Sequence, residues 1–251
     1  MDVSTYFRRI NYQGSTQPTL ATLQALQLQH LLNVPFENLD IHRGVEIRMD
    51  LEHIYQKVIV NRRGGWCFEL NGLFYLLLQR LGFEVRRISS RVYNEDRDFL
   101  GPELDHLATI VSIDGREYLS DVGFGKFTAG PLLMQTDLEQ TDRLGTFYLK
   151  ALDETTFDVF LKGHKDILQY RLDQRARDFQ EFAPMCHYLQ TSPDSHFTQK
   201  RLASLMLPNG RVTLTGDELK ITHSGSVQTT KLKDEMAIQA ALQHHFGIVL
   251  D

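Results

Sequence analysis

The chain has few of the features that mark secreted, membrane or disulfide-bonded proteins. Its 251 residues include two cysteines, Cys67 and Cys186, which is too few for a disulfide framework in a chain of this size. The longest apolar run, residues 73–78, falls well short of the roughly 18 residues that a membrane span needs. The N-terminus lacks the basic and apolar segments of a signal peptide. These absences predict a cytoplasmic protein with free thiols and no membrane association.

Charge gives no reason to expect a nucleic-acid partner. The 27 Lys and Arg residues are outnumbered by 32 Asp and Glu residues, which leaves a net charge of −5. A mildly acidic chain without a long basic run is not attracted to nucleic acid or to anionic lipid. Ligand spacings typical of a structural metal site are missing as well, so no metal is predicted. The composition, 42% hydrophobic and 24% charged, is that of an ordinary globular protein.

The spacing of apolar residues divides the chain into three regions. The first ninety or so residues favour helices, which are expected at 19–32, 51–61 and 67–81. From Phe83 to about Tyr170 the pattern favours strands, with turn signals at Asp114-Gly115 and at 141–145. The last region combines expected strands at 211–215, 219–223 and 227–232 with a closing helix at 234–245. The sequence therefore predicts an α+β fold with a helical N-terminal region, a β middle and a mixed C-terminal lid.

A candidate nucleophile stands at the start of the third helix. Cys67 follows Gly64-Gly65-Trp66, and two glycines allow a sharp turn and a close backbone approach. A helix N-terminus offers partial positive charge and free N–H groups, which stabilise a thiolate and hold an oxyanion. The fragment alone is equally compatible with an inert core cysteine, because free cysteines are often simply buried.

A candidate base and its orienting carboxylate lie in a predicted β-hairpin. The sequence predicts two strands, one on either side of Asp114-Gly115, joined by a two-residue turn. In that register His106 faces Gly123, and Asp121 is the diagonal neighbour of His106 on the same face, within reach of a hydrogen bond. A carboxylate so placed holds an imidazole in one tautomer. A register shifted by one residue would put the two side chains on opposite faces.

Two glycines follow the candidate carboxylate directly, in Asp121-Val122-Gly123-Phe124-Gly125. Such a stretch lets the backbone come close to a ligand, or simply connects two strands. It has neither the Gly-x-Gly-x-x-Gly nor the Walker spacing, so these two modes of nucleotide binding are not indicated.

Taken together, the motifs resemble the arylamine N-acetyltransferases over nearly the whole chain. The blocks that carry the resemblance, in the family's order, are YFRRINYQG at 6–14, PFENL at 35–39, RGGWCFELN at 63–71, HL at 106–107, DVGFG at 121–125 and LQTSPDSHF at 189–197. One block would be weak evidence, but all of them in order are highly specific.

The resemblance implies both a fold and a catalytic triad. The fold would have a helical domain at 1–85, a β-barrel domain at 86–185 and an α/β lid at 186–251. The core of the first two would be similar to papain-like proteases and transglutaminases. The triad would be Cys67, His106 and Asp121.

The resemblance also implies a reaction and its ligands. Acetyl-CoA would be the cosubstrate, with no metal, and the acceptor would be an arylamine or arylhydrazine, with O-acetylation of N-hydroxyarylamines as a related activity. Phe36 would line the acceptor pocket, and Gly123 and Phe124 would lie against the pantetheine or acetyl end of CoA. Glu37 and Arg63 would brace the active-site loop as a buried ion pair. Trp66 is a further candidate for a wall of the pocket.

Two segments depart from the family pattern. The chain stops at 248–251, where many members carry a further tail, so a more open cleft is expected. The stretch 93–105 matches no family pattern and leads into His106, where it would shape the choice of acceptor.

Three rival functions stay open at the level of sequence. An amide synthase of the same fold, or a thioesterase or cysteine protease with the same triad, would use the same residues. A non-catalytic binding protein that retains the fold is the third. The sequence gives no indication of the oligomeric state.

Overall fold

The structure is a computed structural model that describes residues 1–125 and 127–250, with the backbone alone at residue 96. Asp251, the last residue of the expected lid, lies outside the described residues. The helices are α1 Val3–Arg9, α2 Leu20–Asn33, α3 Leu39–His42, α4 Leu51–Tyr55, α5 Cys67–Arg80, α6 Ala183–Thr191, α7 His196–Gln199 and α8 Glu235–Phe246. The strands are β1 Phe36–Glu37, β2 Glu84–Asn94, β3 Phe99–Leu100, β4 His106–Ile113, β5 Arg116–Ser120, β6 Leu132–Leu133, β7 Gln140–Asp142, β8 Gly145–Ala151, β9 Thr156–Leu161, β10 Ile167–Asp173, β11 Leu202–Leu207, β12 Gly210–Thr215, β13 Glu218–His223 and β14 Ser226–Lys231.

The N-terminal helices surround α5, which is buried along most of its length. Local sequence sets where they begin and end. The Thr19 side chain accepts the Thr22 N–H and starts α2, and Gly82 follows α5 with a φ of +84°, the left-handed conformation that glycine adopts without strain. The expected helices at 19–32 and 67–81 are therefore confirmed to within a residue.

The expected helix at 51–61 is not one regular helix. Helix α4 ends at Tyr55, and a π-helical turn, Gln56–Val60, follows it. The Asn61 N–H donates to the Gln56 carbonyl, five residues back. An apolar periodicity of 3.6 residues carries no signal for such a turn. The turn contains Lys57, whose side chain is buried in a charged cluster described below.

The middle of the chain forms a strongly curved antiparallel sheet. Its strand order is β6-β5-β4-β2-β10-β9-β8-β7, with β3 paired to the end of β2. The two edge strands approach each other, since the Gln140 side chain on β7 exchanges hydrogen bonds with the backbone of Leu133 on β6. The sheet is therefore a nearly closed barrel around its own apolar core.

A smaller sheet completes the fold in the order β1-β11-β12-β13-β14. Strands β12 to β14 and helix α8 match the expected elements to within a residue or two. Neither β1 nor β11 is expected from the sequence, because a strand of two residues has no periodicity and the mixed run at 202–207 shows no clear alternation. On its other edge β1 bonds to the loop before Cys67, where the Glu37 N–H donates to the Gly65 carbonyl at 2.9 Å. Within the described residues no helix is both long and apolar enough to cross a bilayer.

Candidate active site

Cys67 is the first residue of α5, and its side chain is buried. The turn that presents it is held by Glu69, whose carboxylate accepts the Trp66 N–H at 3.1 Å. A Cβ on Gly64 would collide with the Pro35 carbonyl, so this loop can lie against β1 because a glycine stands there. The thiol thus stands at the N-terminal end of the helix, where the first N–H groups have no helical partner, and its sulfur lies 4.0 Å from the Asp105 carbonyl.

His106 and Asp121 meet as the hairpin register predicts. Strands β4 and β5 pair Ile113 with Arg116 and Thr109 with Ser120, and the turn residues Asp114 and Gly115 have φ values of 50° and 73°, as a two-residue hairpin turn of this type requires. His106 Nε2 lies 2.6 Å from Asp121 Oδ2.

The imidazole interacts with both neighbours in the site. Because Asp121 occupies Nε2, Nδ1 is the ring nitrogen left to interact with Cys67. Burial by itself lowers the pKa of His106, but the Asp121 carboxylate and the contact with Cys67 outweigh burial and raise it to about 10. The arrangement favours a protonated imidazole beside the cysteine.

Asp121 is buried and accepts hydrogen bonds from four groups. Oδ2 faces His106 and the Tyr170 hydroxyl, the latter at 3.3 Å. Oδ1 accepts from the Asn71 amide and from the Gly123 N–H, each at 2.8 Å. Burial acts to raise the pKa of Asp121, whereas the charge of His106 and these donors hold it below its usual range. The carboxylate is therefore kept ionised and fixed in direction.

Asn71 and Tyr170 are two members of the site that sequence reasoning missed. Asn71 lies four residues after Cys67 and so on the same face of α5. It ties the helix to β4 and to the segment after β5, because its amide donates to the Leu107 carbonyl at 2.6 Å and its oxygen accepts the Val122 N–H at 2.9 Å. The spacing of four residues was a usable signal for Asn71. Tyr170 comes from a distant strand, and nothing local points to it.

Gly123 stands where the hairpin touches the start of α5. A Cβ at this position would lie 2.7 Å from the Cα of Cys67 and 2.7 Å from the Asn71 amide nitrogen. The close approach that requires a glycine here is thus to the candidate nucleophile. This contact fixes the distance between the hairpin and the helix.

A narrow cleft lies beside these residues, with a cavity volume of about 10 Å³. Its walls come from the helical region, from the loop after β5 and from the small sheet: Leu31, Val34, Phe36, Val122, Gly123, Phe124, Gly125, Ser204, Met206 and Arg211. The Phe124 ring packs edge-on against His106, with 5.3 Å between ring centroids. Trp66 does not line this cleft; it is buried against Phe68 and Phe197. A larger open depression around Met49–Glu52 and Phe179-Gln180 contains none of the candidate site residues.

A buried cluster of charges lies beneath the loop that carries Cys67. Arg63 pairs with Glu37 at 2.8 Å and with Asp40 at 2.9 Å. Lys57 pairs with Asp40 and with Glu69, each at 2.8 Å. Burial opposes the charge on Lys57, but its three acidic neighbours raise the pKa above the usual value. The cluster joins β1, α3, the π-helical turn and the first turn of α5. Among the described residues there is no group of His, Cys, Asp and Glu side chains able to hold a metal ion.

Comparison with known proteins identifies the family. The family model described as N-acetyltransferase matches residues 19–251. The arylamine N-acetyltransferase of Escherichia coli strain K12 is 34% identical over 251 residues, which cover 98% of this chain and 88% of that protein. The solved arylamine N-acetyltransferase of Salmonella typhimurium superimposes with a TM-score of 0.91 at 31% identity, covering 98% of this chain and 90% of that one.

A second solved structure adds a ligand. The Mycobacterium marinum arylamine N-acetyltransferase in complex with CoA has a TM-score of 0.89 at 31% identity, over 98% of this chain and 93% of that one. The chain is thus an acetyltransferase by fold and sequence. It belongs to the arylamine N-acetyltransferase family.

Proposed function

We propose that the protein transfers an acetyl group from acetyl-CoA to an arylamine or arylhydrazine through a thioester on Cys67, with His106 and Asp121 completing a catalytic triad. The observation that carries the proposal is the chain of contacts from the thiol at the start of a buried helix, through the imidazole, to the carboxylate 2.6 Å away. The named relatives act on arylamines, and one of them is known with CoA bound.

The first half-reaction loads the enzyme. Cys67 gives its proton to Nδ1 of His106, and the thiolate attacks the acetyl carbonyl carbon of acetyl-CoA. The developing oxyanion is held by N–H groups of the first turn of α5, a contribution of about 3–4 kcal/mol in other enzymes. The carbon–sulfur bond to CoA breaks, His106 returns the proton to the departing thiolate, and acetyl-Cys67 remains. Asp121 keeps the ring oriented and stabilises its positive form.

In the second half-reaction acetyl-Cys67 is the acetyl donor and the amine is the nucleophile. The amine nitrogen attacks the thioester carbonyl, and His106 takes a proton from that nitrogen as the carbon–sulfur bond breaks. The products are the N-acetylated amine and free Cys67. Arylamines suit this step because they are uncharged at pH 7 and fit between aromatic side chains. We assign Phe36 to the acceptor pocket, and Gly123 with Phe124 to the acetyl and pantetheine end of CoA.

The remaining assignments follow the same proposal. Glu37 and Arg63 support the nucleophile loop from below, and no metal takes part. We divide the chain into a helical domain (1–85), a barrel domain (86–185) and an α/β lid (186–251), a division supported by the change from helices to one sheet and then to another. The cytoplasm is the proposed location.

Steady-state kinetics test the proposal. With acetyl-CoA and 4-aminosalicylate varied together, a thioester mechanism gives parallel double-reciprocal lines and CoA inhibition that is competitive with the amine. Cys67→Ser and His106→Gln are expected to lose at least about a thousandfold in kcat. Intersecting lines, or a Cys67→Ser enzyme as fast as wild type, would refute the thioester route. Release of acetate and CoA without amine would instead favour a hydrolase.

A further inference from the structure

The segment that leads into His106 contains a bulky residue in a strained backbone conformation. Leu104 has a φ of +64°, in the left-handed region that a bulky side chain rarely occupies. Its side chain is half-buried and packs against the core of the helical region. Residues strained in this way persist only where the surrounding structure holds them, and they cluster at functional sites. The contacts around Leu104 must therefore offset the strain.

Two anchors on β2 hold the segment, one at each end. At the first, the Gly101 N–H donates to the Val92 carbonyl at 2.8 Å, and Arg91 Nε donates to the Gly101 carbonyl at 2.7 Å. At the second, Asp105 Oδ1 accepts the Val92 N–H at 3.0 Å. Both backbone groups of Val92 thus hold residues 101 and 105 close together, with Leu104 between them.

Gly101 and Asp105 also fit each other directly. A Cβ on Gly101 would lie 1.8 Å from Asp105 Oδ2, so the carboxyl group occupies the space that a side chain at position 101 would need. Burial raises the pKa of Asp105 to about 7, against the Val92 hydrogen bond and the charges of His106 and Arg91. A neutral carboxyl keeps the oxygen that accepts the Val92 N–H, so the anchor does not depend on the charge.

The second anchor fixes the backbone beside the reacting groups. The carbonyl oxygen of Asp105 lies 4.0 Å from Cys67 Sγ, and the next residue is His106, the base of the proposed reaction. If the Asp105 side chain were freed, Leu104 could relax, and the peptide between Asp105 and His106 would move with it. A displacement near 1 Å between reacting groups can cost about a hundredfold in rate.

We propose that Asp105 is a positioning residue for acetyl transfer, whose side chain holds the strained segment 101–105 against β2 and thereby fixes the thiol of Cys67 relative to His106. This inference rests on the proposed function, because it concerns the same nucleophile and base. In this role the Asp105 side chain touches neither acetyl-CoA nor the amine. It acts on the triad through the backbone.

The test compares Asp105→Ala, which removes the second anchor, with Asp105→Asn, which keeps an oxygen able to accept the Val92 N–H. Gly101→Ala is a second way to disturb the anchor, because its Cβ would displace the carboxyl group. Acetylation of Cys67 is followed by intact-protein mass at rising acetyl-CoA concentrations and pH 6, where the wild-type carboxyl is largely neutral. The limiting first-order rate constant does not depend on how much of the sample is folded.

Asp234→Ala is the matched control. The Asp234 carboxylate also accepts one backbone N–H, that of Ala237 at 2.9 Å. It caps α8, which packs on the small sheet in an apolar core that contains none of the triad residues. The control therefore loses a bond of the same kind away from the nucleophile. Alkylation of Cys67 by iodoacetamide is a second readout, which needs no acetyl-CoA.

Asp105→Ala and Gly101→Ala should lower the limiting acetylation rate about ten- to hundredfold. The half-saturating acetyl-CoA concentration should stay within about twofold of wild type, because no contact with the cosubstrate is removed. Asp105→Asn should restore the limiting rate to within about threefold of wild type, since it keeps the hydrogen bond. Asp234→Ala should match wild type. Alkylation of Cys67 should slow in Asp105→Ala and not in Asp105→Asn, because an aligned imidazole activates the thiol.

Three results would overturn the proposal. A wild-type limiting rate in Asp105→Ala, with a lowered melting temperature, would make Asp105 a purely structural residue. A raised half-saturating concentration with an unchanged limiting rate would place Asp105 in the acetyl-CoA site. An Asp105→Asn enzyme as slow as Asp105→Ala would show that the carboxyl group itself is needed, and not the anchor.

Failure of the proposed function would look different. Wild-type protein that takes no acetyl group from acetyl-CoA, but is alkylated at Cys67, would remove the acetyl donor. The alkylation rates of Asp105→Ala and Asp105→Asn would then still decide whether Asp105 positions the thiol: slower alkylation in Asp105→Ala alone would support that role, and equal rates would exclude it.

Discussion

Substituting Gly123 by alanine is a direct test of how the hairpin and the helix are spaced. The new Cβ would lie 2.7 Å from the Cα of Cys67, and ordinary contact begins at 3.4 Å, so the two segments must separate by about 0.7 Å. A displacement near 1 Å between reacting groups can cost about a hundredfold in rate. The shift would also weaken the bonds that cross from the helix, which join Asn71 to Asp121 at 2.8 Å and to the Val122 N–H at 2.9 Å.

We therefore expect Gly123→Ala to slow acetylation of Cys67 by about 30- to 100-fold and to destabilise the protein by about 1–3 kcal/mol. The rate is measured by mixing the protein with acetyl-CoA, quenching samples at set times and determining the intact-protein mass by mass spectrometry. The stability is measured by urea unfolding. Gly130→Ala is the matched control, because a Cβ there meets no atom within 4 Å. A Gly123→Ala enzyme within twofold of the wild-type rate would refute the spacing argument.

Other predictions concern the buried charges. Glu37→Gln should destabilise the fold by about 3 kcal/mol, because it leaves Arg63 buried with one carboxylate fewer; urea unfolding that matches wild type would contradict this. Asp121→Asn should lower the pKa of His106 from about 10, since burial then dominates, and an NMR titration of the ring that shows no shift would count against the pairing. Burial raises the pKa of Asp105 from 3.8 to about 7. Below pH 3.8 the carboxyl is protonated in both the folded and the unfolded chain, so Asp105 does not lower stability there. As the pH rises through 7 the buried carboxyl must ionise, and the folded state loses stability. Asp105→Asn should therefore be more stable than wild type at pH 8, by up to about 4 kcal/mol. The gain in melting temperature over wild type should disappear towards pH 4. An equal gain at both pH values would show that ionisation of Asp105 does not cause the difference in stability.

The parts of the site that lie close in sequence could be predicted from it. The Asp114-Gly115 turn fixes a two-residue hairpin, and the register then places His106 and Asp121 together without any information from the rest of the chain. The start of α5 at Cys67 follows in the same way from the glycines before it and the apolar run after it. Local rules suffice where a turn or a helix terminus fixes the geometry.

The parts that depend on distant segments could not be predicted. Tyr170 reaches Asp121 from 49 residues further along the chain. Lys57, in the π-helical turn, pairs with Glu69 on α5. Strand β1 exists because β11 lies beside it. Each of these contacts depends on tertiary packing, which overrides weak local propensity.

The most direct test of the account is the mass of the intact protein after brief incubation with acetyl-CoA and no amine, for wild type and Cys67→Ala. We predict one added acetyl group on wild type, none on Cys67→Ala, and loss of that group when an arylamine is added. Cys67→Ala should still fold, which its melting temperature checks. An acetyl group on both proteins, or on neither, would contradict a thioester on Cys67.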